Sequence, residues 1–169
     1  EHITPELLDL VSLQPDEIAR LLQAVPGGAP AVQDIYPLSP MQEGVLFHHL
    51  LSGQGDASAA QQGDAYIMPL LMTAANRAAL DAFVQGFEQV LQRHDILRTS
   101  VHWAGLPRAV QVVHRQVSLP THTLSLAPGE GALQALRARM APQRLWMDLQ
   151  QAPLVRLTLA CDDPQDSAA

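Results

Sequence analysis

The sequence has 169 residues, of which 47% are hydrophobic and 16% are charged, and its formal net charge is -7. A chain of this length and composition can bury a sizeable core and is not intrinsically disordered. All ten basic residues are arginines. They are scattered, so no basic cluster suggests a surface that binds nucleic acid.

Cys161 is the single cysteine, which excludes an internal disulfide and fits a reducing compartment. The N-terminal residues EHITPELLDL form no basic leader. The longest uncharged runs, such as AYIMPLLMTAAN, are too short and too interrupted by proline to span a bilayer. We therefore expect a soluble cytoplasmic protein that binds neither nucleic acid nor membrane.

The N-terminal segment carries two helix starts of the same kind, Thr4 before Pro5 and Gln14 before Pro15. Proline is favourable at the first helical position, and Gly27 with Gly28 is typical of a helix end. The stretch that follows, APAVQDIYP, has no hydrophobic period. We interpret residues 1–33 as a linker with helical pieces, docked on a neighbouring domain or on the domain that follows.

The next helix is signalled by Ser39, Pro40 and Gln42, which combine a serine cap, a first-position proline and a capping-box glutamine. It is expected to extend to about Ser52, and apolar residues lie on nearly all its sides. Such a helix should be central. We therefore expect both histidines of the stretch FHHLL to be buried or to line an internal channel.

The rest of the chain alternates strand and helix signals. Residues 53–64 predict a glycine-rich loop, and AYIMPLLMTA predicts an edge or bulged strand because of Pro69. Asn76 caps a long helix with strong apolar periodicity. RTSVHW and AVQVVHRQV predict a hairpin joined by AGLP, a helix covers about Gly131 to Ala141, and PLVRLTLAC predicts a last strand. The order indicates an α/β or α+β layered domain.

Histidine is the usual acid-base group near neutral pH, and the chain has seven. His102, His114 and His122 lie in strand-like stretches without acidic or cysteine partners at metal-ligand spacing, so we interpret each as structural or merely solvated. No zinc pattern, nucleophile elbow or phosphate-binding loop occurs. On residue patterns alone, His48 and His49 are either core or channel histidines or a catalytic pair.

Three stretches resemble the condensation domains of nonribosomal peptide synthetases: DIYPLSPMQEGVLFHHLL (34–51), RHDILRTSVHW (93–103) and MDLQQAPLVRLTL (147–159). The first two are similar to the first and second core motifs of that family. The resemblance implies the chloramphenicol-acetyltransferase-like fold, in which two α/β lobes meet around a substrate tunnel. It implies that residues 34–169 form the N-terminal lobe, and that residues 1–33 are the linker after an upstream carrier-protein domain.

The family's condensation signature, H-H-x-x-x-D-G, normally follows the strand PLVRLTL, and residues up to Ala169 do not contain it. His48 and His49 cannot replace it, because Gly53 and Gln54 stand where that motif requires aspartate and glycine. We therefore expect a chain cut before the motif, completed by a C-terminal lobe of the same domain, and inactive in condensation when alone.

A second signature of the family does match. Condensation domains that also epimerise their donor carry H-H-I/L-x-x-x-x-G-D near the N-terminus, and HHLLSGQGD (48–56) resembles it at every fixed position. The resemblance implies an epimerisation role for His48 and His49, with Gly55 and Asp56 completing the signature. The alternatives are an ordinary condensation domain that accepts a D-configured donor, and a non-catalytic lobe that only docks carrier proteins.

The implied substrates are a donor peptidyl thioester and an aminoacyl thioester on 4'-phosphopantetheine arms of upstream and downstream peptidyl carrier proteins. No directly bound cofactor and no metal is expected. Arg98, in RHDILRT, offers a bidentate fork for a carboxylate. We expect Arg98 to face the active-site loop that carries the family's condensation signature and to hold the aspartate of that motif.

Overall fold

The structure is a computed structural model that describes residues 3–54, 64, 66–141 and 144–162. In these ranges the chain forms helices and strands in mixed order. The helices are α1 (Pro15–Ala24), α2 (Pro40–Gln54), α3 (Arg77–Arg93) and α4 (Ala132–Arg139). The strands are β1 (Val32–Pro37), β2 (Thr99–His102), β3 (Val110–His114), β4 (Thr121–Thr123) and β5 (Leu157–Leu159).

The chain divides into two compact units. Unit 1 contains residues 1–44, 88–118 and 148–155, and unit 2 contains residues 45–87, 119–147 and 156–169. The division passes through α2 and α3, so each unit holds one part of both helices.

Unit 1 is built on a three-stranded antiparallel sheet with the order β1-β3-β2. The hairpin predicted from RTSVHW and AVQVVHRQV is confirmed as β2 and β3, with Ser100 opposite Val112. The N-terminal segment packs against this sheet. The buried cluster combines four residues from that segment with four from β1 and β3: Leu13, Ile18, Leu21, Val25, Val32, Ile35, Val110 and Val112.

Helix α1 confirms the second predicted start, because Gln14 and Glu17 form a reciprocal capping box. The first predicted helix is wrong: Pro5–Leu7 is a single 3-10 turn. Leu7 and Leu10 are exposed, whereas Leu8 and Val11 pack partly buried against the core cluster. Only part of the predicted apolar face is covered, and short helices are marginal without such packing. Strand β1 was not predicted, and the expected boundary between residues 33 and 34 lies inside it.

Unit 2 contains a two-stranded parallel sheet, in which β4 pairs with β5. The strand predicted from PLVRLTLAC is confirmed as β5, and the helix predicted after Gly131 is confirmed as α4. The Ala132 N–H at the start of α4 donates to the Asp162 carboxylate at 2.5 Å. Helix α3 confirms the predicted cap, since the Ala79 N–H donates to Asn76 Oδ1 at 2.9 Å.

The strand predicted from AYIMPLLMTA is wrong, because residues 66–74 form no strand. Pro69 has no N–H to give to a ladder, and Met68 and Leu70 are exposed. Most of the predicted loop 53–64 lies outside the described residues, whereas Gly53 and Gln54 belong to α2. Within the described ranges, none of the helices is long and apolar enough to cross a bilayer.

Candidate functional site

Helix α2 places the two adjacent histidines of the signature. Its predicted capping box is confirmed, since the Ser39 N–H donates to Gln42 Oε1 at 2.8 Å and the Gln42 N–H donates to Ser39 Oγ at 3.3 Å. Neighbouring helical residues diverge by about 100°. His49 is 3% exposed, whereas His48 is exposed. His49 is therefore buried, whereas His48 is not, and its place along an internal channel stays a prediction.

The reason lies in how much of α2 is covered. The helix is apolar on nearly all sides, but only the side that carries Leu46 and His49 is buried. Met41, Phe47 and Leu51 on its other sides are exposed. The expectation of a helix surrounded by protein is therefore wrong for the chain as the structure describes it.

His49 is paired with a buried carboxylate that the sequence pattern did not indicate. Its Nδ1 lies 2.6 Å from Asp64 Oδ2, and Asp64 is only 6% exposed. The other carboxylate oxygen, Oδ1, accepts a hydrogen bond from the Tyr66 N–H at 3.0 Å. The Asp64 N–H donates to the Leu145 carbonyl at 2.9 Å. The pair is thus an oriented imidazole and carboxylate.

An indole covers one face of the same imidazole. The rings of His49 and Trp146 stack with centroids 4.3 Å apart and planes inclined by 22°. Trp146 itself is 44% exposed, so it forms part of the surface beside His49. His49, Asp64 and Trp146 all belong to unit 2. They are called the His49 cluster below.

His48 has aromatic neighbours and no acidic partner among the described residues. Its ring lies 5.7 Å from that of Phe47 and 5.8 Å from that of Tyr66, measured between centroids. The remaining two positions of the signature, Gly55 and Asp56, lie outside the described residues. The structure therefore separates the histidines into a buried, paired His49 and an exposed His48.

Arg98, the other residue singled out from the sequence, is 5% exposed and ends the short 3-10 helix that directly precedes β2. Its Nη1 donates to Gln33 Oε1 at 2.9 Å, to the Arg115 carbonyl at 3.0 Å and to the His114 carbonyl. Its Nη2 donates to the Asp95 carboxylate. Nε is buried without a partner among the described residues. Pairing with the aspartate of the motif H-H-x-x-x-D-G stays a prediction.

A second histidine cluster, in unit 1, was not predicted from the sequence. The Ser100 hydroxyl lies 2.9 Å from His102 Nε2 and 2.7 Å from His114 Nε2, and all three residues are buried. Burial, with a smaller contribution from His114, lowers the pKa of His102 to about 4, and Asp148 opposes this change. Burial and the Arg98 charge lower the pKa of His114. We call these three residues the Ser100 cluster.

The sequence contained a signal for the Ser100 cluster. Residues that alternate along a strand share a face, as do directly opposed residues in antiparallel strands. Ser100 and His102 in β2 therefore lie on the same face as Val110, Val112 and His114 in β3. Arg98, directly before β2, continues the same alternation. Once the hairpin register is fixed, His114 is diagonal to Ser100. No comparable rule joins His49 to Asp64, because a loop separates them.

No group of histidine, cysteine, aspartate and glutamate side chains in the described part of the chain is arranged to hold a metal ion. Both clusters instead consist of hydrogen-bonded protein groups.

The chain resembles known proteins in sequence over most of its length. Malpinin synthetase and malpibaldin synthetase of Mortierella alpina are 42% and 41% identical over 162 residues. One of the linear gramicidin synthase proteins of Brevibacillus parabrevis is 34% identical over 143 residues. These matches cover 95%, 95% and 83% of this chain but only 2%, 3% and 2% of the relatives. The chain thus spans a small part of the curated relatives it matches.

Solved structures share the fold at low sequence identity. The chain in the crystal structure of holo T3CT superposes with a TM-score of 0.56 at 17% identity, over 95% of this chain and 34% of that chain. The crystal structure of SeMet-CT gives a TM-score of 0.56 at 18% identity, over 98% and 34%. The predicted mixed α/β fold of the condensation-domain type is confirmed.

The family profile described as "Condensation domain" matches residues 32–166. That range includes all three stretches on which the resemblance was based, together with the His49 and Ser100 clusters. The chain therefore belongs to the condensation-domain family of the nonribosomal peptide synthetases.

Proposed function

We propose that this chain is part of a dual epimerisation/condensation domain, and that His49 serves the epimerisation of the donor. The proposal rests on one observation above all. The second histidine of HHLLSGQGD is buried and paired with a carboxylate at 2.6 Å, which is an arrangement suited to proton transfer.

Inversion of the donor's α-carbon is a proton-transfer reaction. A base removes the weakly acidic α-proton, the electron pair moves into the thioester carbonyl to give an enolate, and a proton returns to the opposite face. A neutral imidazole is a suitable base near neutral pH. The His49 cluster offers such a ring, held on one side by Asp64 and on one face by Trp146.

Amide formation is a separate step in this proposal. The downstream amine attacks the thioester carbonyl, loses a proton, and the carrier thiol leaves, so positioning supplies much of the rate. By family resemblance, the base is the second histidine of the motif H-H-x-x-x-D-G, which residues 1–169 do not contain. The substrates would arrive on 4'-phosphopantetheine arms of upstream and downstream carrier proteins, between this lobe and a C-terminal lobe.

The relatives support the same setting. They are named as synthetases or synthases of malpinin, malpibaldin and linear gramicidin. An ordinary condensation domain that accepts a D-configured donor, or a lobe that only docks carrier proteins, is compatible with these names. Both alternatives leave the buried His49–Asp64 pair without a chemical role.

The test uses the intact synthetase with donor thioesters of both configurations. His49→Ala should slow coupling of the L-configured donor by about 10²–10⁴-fold, the usual contribution of a general base. It should leave coupling of the D-configured donor near the wild-type rate. His48→Ala should have a smaller effect on the L donor. The exposed strand histidine His122 gives a matched control, His122→Ala, with no effect on either donor.

Three outcomes would contradict the proposal. Wild-type coupling of both donors with inversion intact would make the histidine pair structural. An equal loss of coupling rate with both donors would show that His49 supports the domain in general and not epimerisation in particular. A wild-type enzyme that couples only the D donor, and never inverts the L donor, would identify an ordinary condensation domain.

A further inference from the structure

The proposed function leaves open which imidazole nitrogen acts and what holds it. We propose that Asp64 is the positioning residue of the epimerisation site, and that it directs His49 Nε2 towards the donor's α-proton. This inference rests on the proposed function, because it assigns a role within the same reaction. Asp64 lies outside the signature HHLLSGQGD, which ends at Asp56.

The hydrogen-bond pattern fixes the tautomer of the ring. An ionised carboxylate only accepts hydrogen bonds, so the 2.6 Å contact requires the proton of neutral His49 to be on Nδ1. The lone pair is then on Nε2, at the opposite edge of the ring. This is the same division of roles as in a serine-protease triad, where the aspartate holds the histidine in the productive tautomer.

Asp64 is itself firmly oriented. Its Oδ1 accepts the Tyr66 N–H, and its own N–H donates to the Leu145 carbonyl. The first contact directs the carboxylate, and the second ties its backbone to the residue that precedes Trp146. The same short segment thus supplies both the backbone anchor of Asp64 and the indole that stacks on His49. The carboxylate that contacts Nδ1 and the indole that stacks on the ring are therefore held in place by the same segment.

Among the described residues, Nε2 of His49 has no hydrogen-bond partner, whereas Nδ1 contacts Asp64. Nε2 lies at the edge of the ring opposite that contact, and His49 is 3% exposed. A donor can meet the ring there without displacing Asp64.

The proton balance requires no further cofactor. Nε2 takes the α-proton, the Cα–H electron pair enters the thioester carbonyl, and the imidazolium stays hydrogen-bonded to the Asp64 carboxylate. A solvent-equilibrated acid then returns a proton to the other face, and Nε2 releases its own to solvent. The α-hydrogen of the donor should therefore exchange with solvent deuterium, even when no acceptor amine is present.

That exchange is the measurement that tests the inference. In the intact synthetase, loaded with an L-configured donor in deuterated water, Asp64→Asn should slow α-deuterium incorporation by about 10²–10⁴-fold. The KM for the donor-loaded carrier and the coupling rate of the D-configured donor should not change. Asp64→Glu, which keeps the carboxylate, should retain more exchange than Asp64→Asn.

The matched control is Asp81→Asn. Asp81 also belongs to unit 2 and also pairs through a carboxylate oxygen, with Arg77 at 2.8 Å, but it is half-exposed and remote in sequence from the signature. The rates of α-deuterium incorporation and of D-donor coupling in Asp81→Asn should equal those of the wild type.

The outcomes separate this inference from the function on which it rests. Wild-type exchange in Asp64→Asn, with exchange lost in His49→Ala, overturns the role of Asp64 and leaves the proposed function standing. Wild-type exchange in His49→Ala overturns both. Loss of D-donor coupling in Asp64→Asn and Asp64→Glu alike shows that Asp64 supports the fold, and also overturns the inference.

Discussion

The two buried histidine clusters use the same side chain in opposite electrostatic surroundings. In the His49 cluster the ring faces a carboxylate, which accommodates the neutral and the protonated imidazole alike. In the Ser100 cluster two rings share one hydroxyl, next to the buried Arg98 guanidinium. A hydroxyl can donate to only one Nε2 while it accepts from the other. Burial lowers the pKa of both rings, which disfavours their charged forms.

Burial alone therefore does not mark a catalytic histidine. Neighbouring charges and desolvation determine which protonation state a ring can reach. The lowered pKa values of His102 and His114 follow from burial and from positive or potentially positive neighbours. Such rings hydrogen-bond within the sheet through the Ser100 hydroxyl, and burial disfavours their charged forms.

The largest effect on stability is expected from the arginine beside the Ser100 cluster. Arg98→Ala removes the donor to Gln33 and to two backbone carbonyls. Leaving such buried groups unpaired should lower the free energy of unfolding by about 3 kcal/mol. Urea unfolding followed by circular dichroism measures this loss.

Arg108→Ala is the control for that measurement. Arg108 also belongs to unit 1 and pairs with Glu43 at 3.0 Å, but its side chain is largely exposed. Exposed pairs contribute at most about 1 kcal/mol, so the midpoint should hardly move. Equal losses in the two variants would show that the buried hydrogen bonds of Arg98 do not stabilise the fold.

The second expected effect is a pH dependence caused by His102. Its pKa in the folded chain is about 4, below the ordinary value of 6.5, so between these values the unfolded chain binds more protons. The free energy of unfolding is therefore undiminished by this group above pH 6.5, and it decreases as the pH falls towards 4. The loss should be on the order of 2 kcal/mol after allowance for partial solvation.

His102→Gln and His122→Gln distinguish this cause from general acid unfolding. The first variant should flatten the fall in unfolding free energy between pH 6.5 and 4, because the titrating ring is gone. The second, at an exposed strand position, should follow the wild-type curve. A wild-type slope in His102→Gln would assign the acid sensitivity to other groups.

The smallest expected effect concerns ring stacking in the other cluster. Trp146→Leu removes the stacked contact with His49 at 4.3 Å and should cost about 1 kcal/mol. Tyr66→Leu removes a tilted contact with the exposed His48 at 5.8 Å, and should cost less. Thermal unfolding of both variants measures the difference. A larger loss in Tyr66→Leu would reverse the assignment of His49 as the packed histidine.

Local signals in the sequence were sufficient for much of the fold. The helix start at Gln14, the capping box at Ser39, the cap at Asn76 and the β2–β3 hairpin depend on residues close together in the chain, and all are confirmed. Strand β1 could not be predicted, because its pairing with β3 is set by residues almost eighty positions away. Residues 66–74 are largely apolar and were therefore predicted as a strand, but no described strand pairs with them.

The candidate site divides in the same way. The family motif identified His48, His49 and Arg98 by position, but α2 alone could not indicate which histidine is buried, since it is apolar nearly all round. The partner of His49 follows a glycine-rich stretch with no periodicity. Local pattern therefore had no means to bring Asp64 to Nδ1, and only the folded chain identifies that carboxylate.

The core of unit 1 has a practical consequence for protein engineering. Leu13, Ile18, Leu21 and Val25 provide half of the buried apolar cluster, and β1 spans the motif boundary at residues 33 and 34. A junction at that boundary between recombined synthetase modules would cut strand β1. It would also replace the N-terminal residues that supply half of the hydrophobic core of unit 1. A junction upstream of the 3-10 turn at Pro5–Leu7 would transfer the N-terminal segment and the sheet on which it packs together.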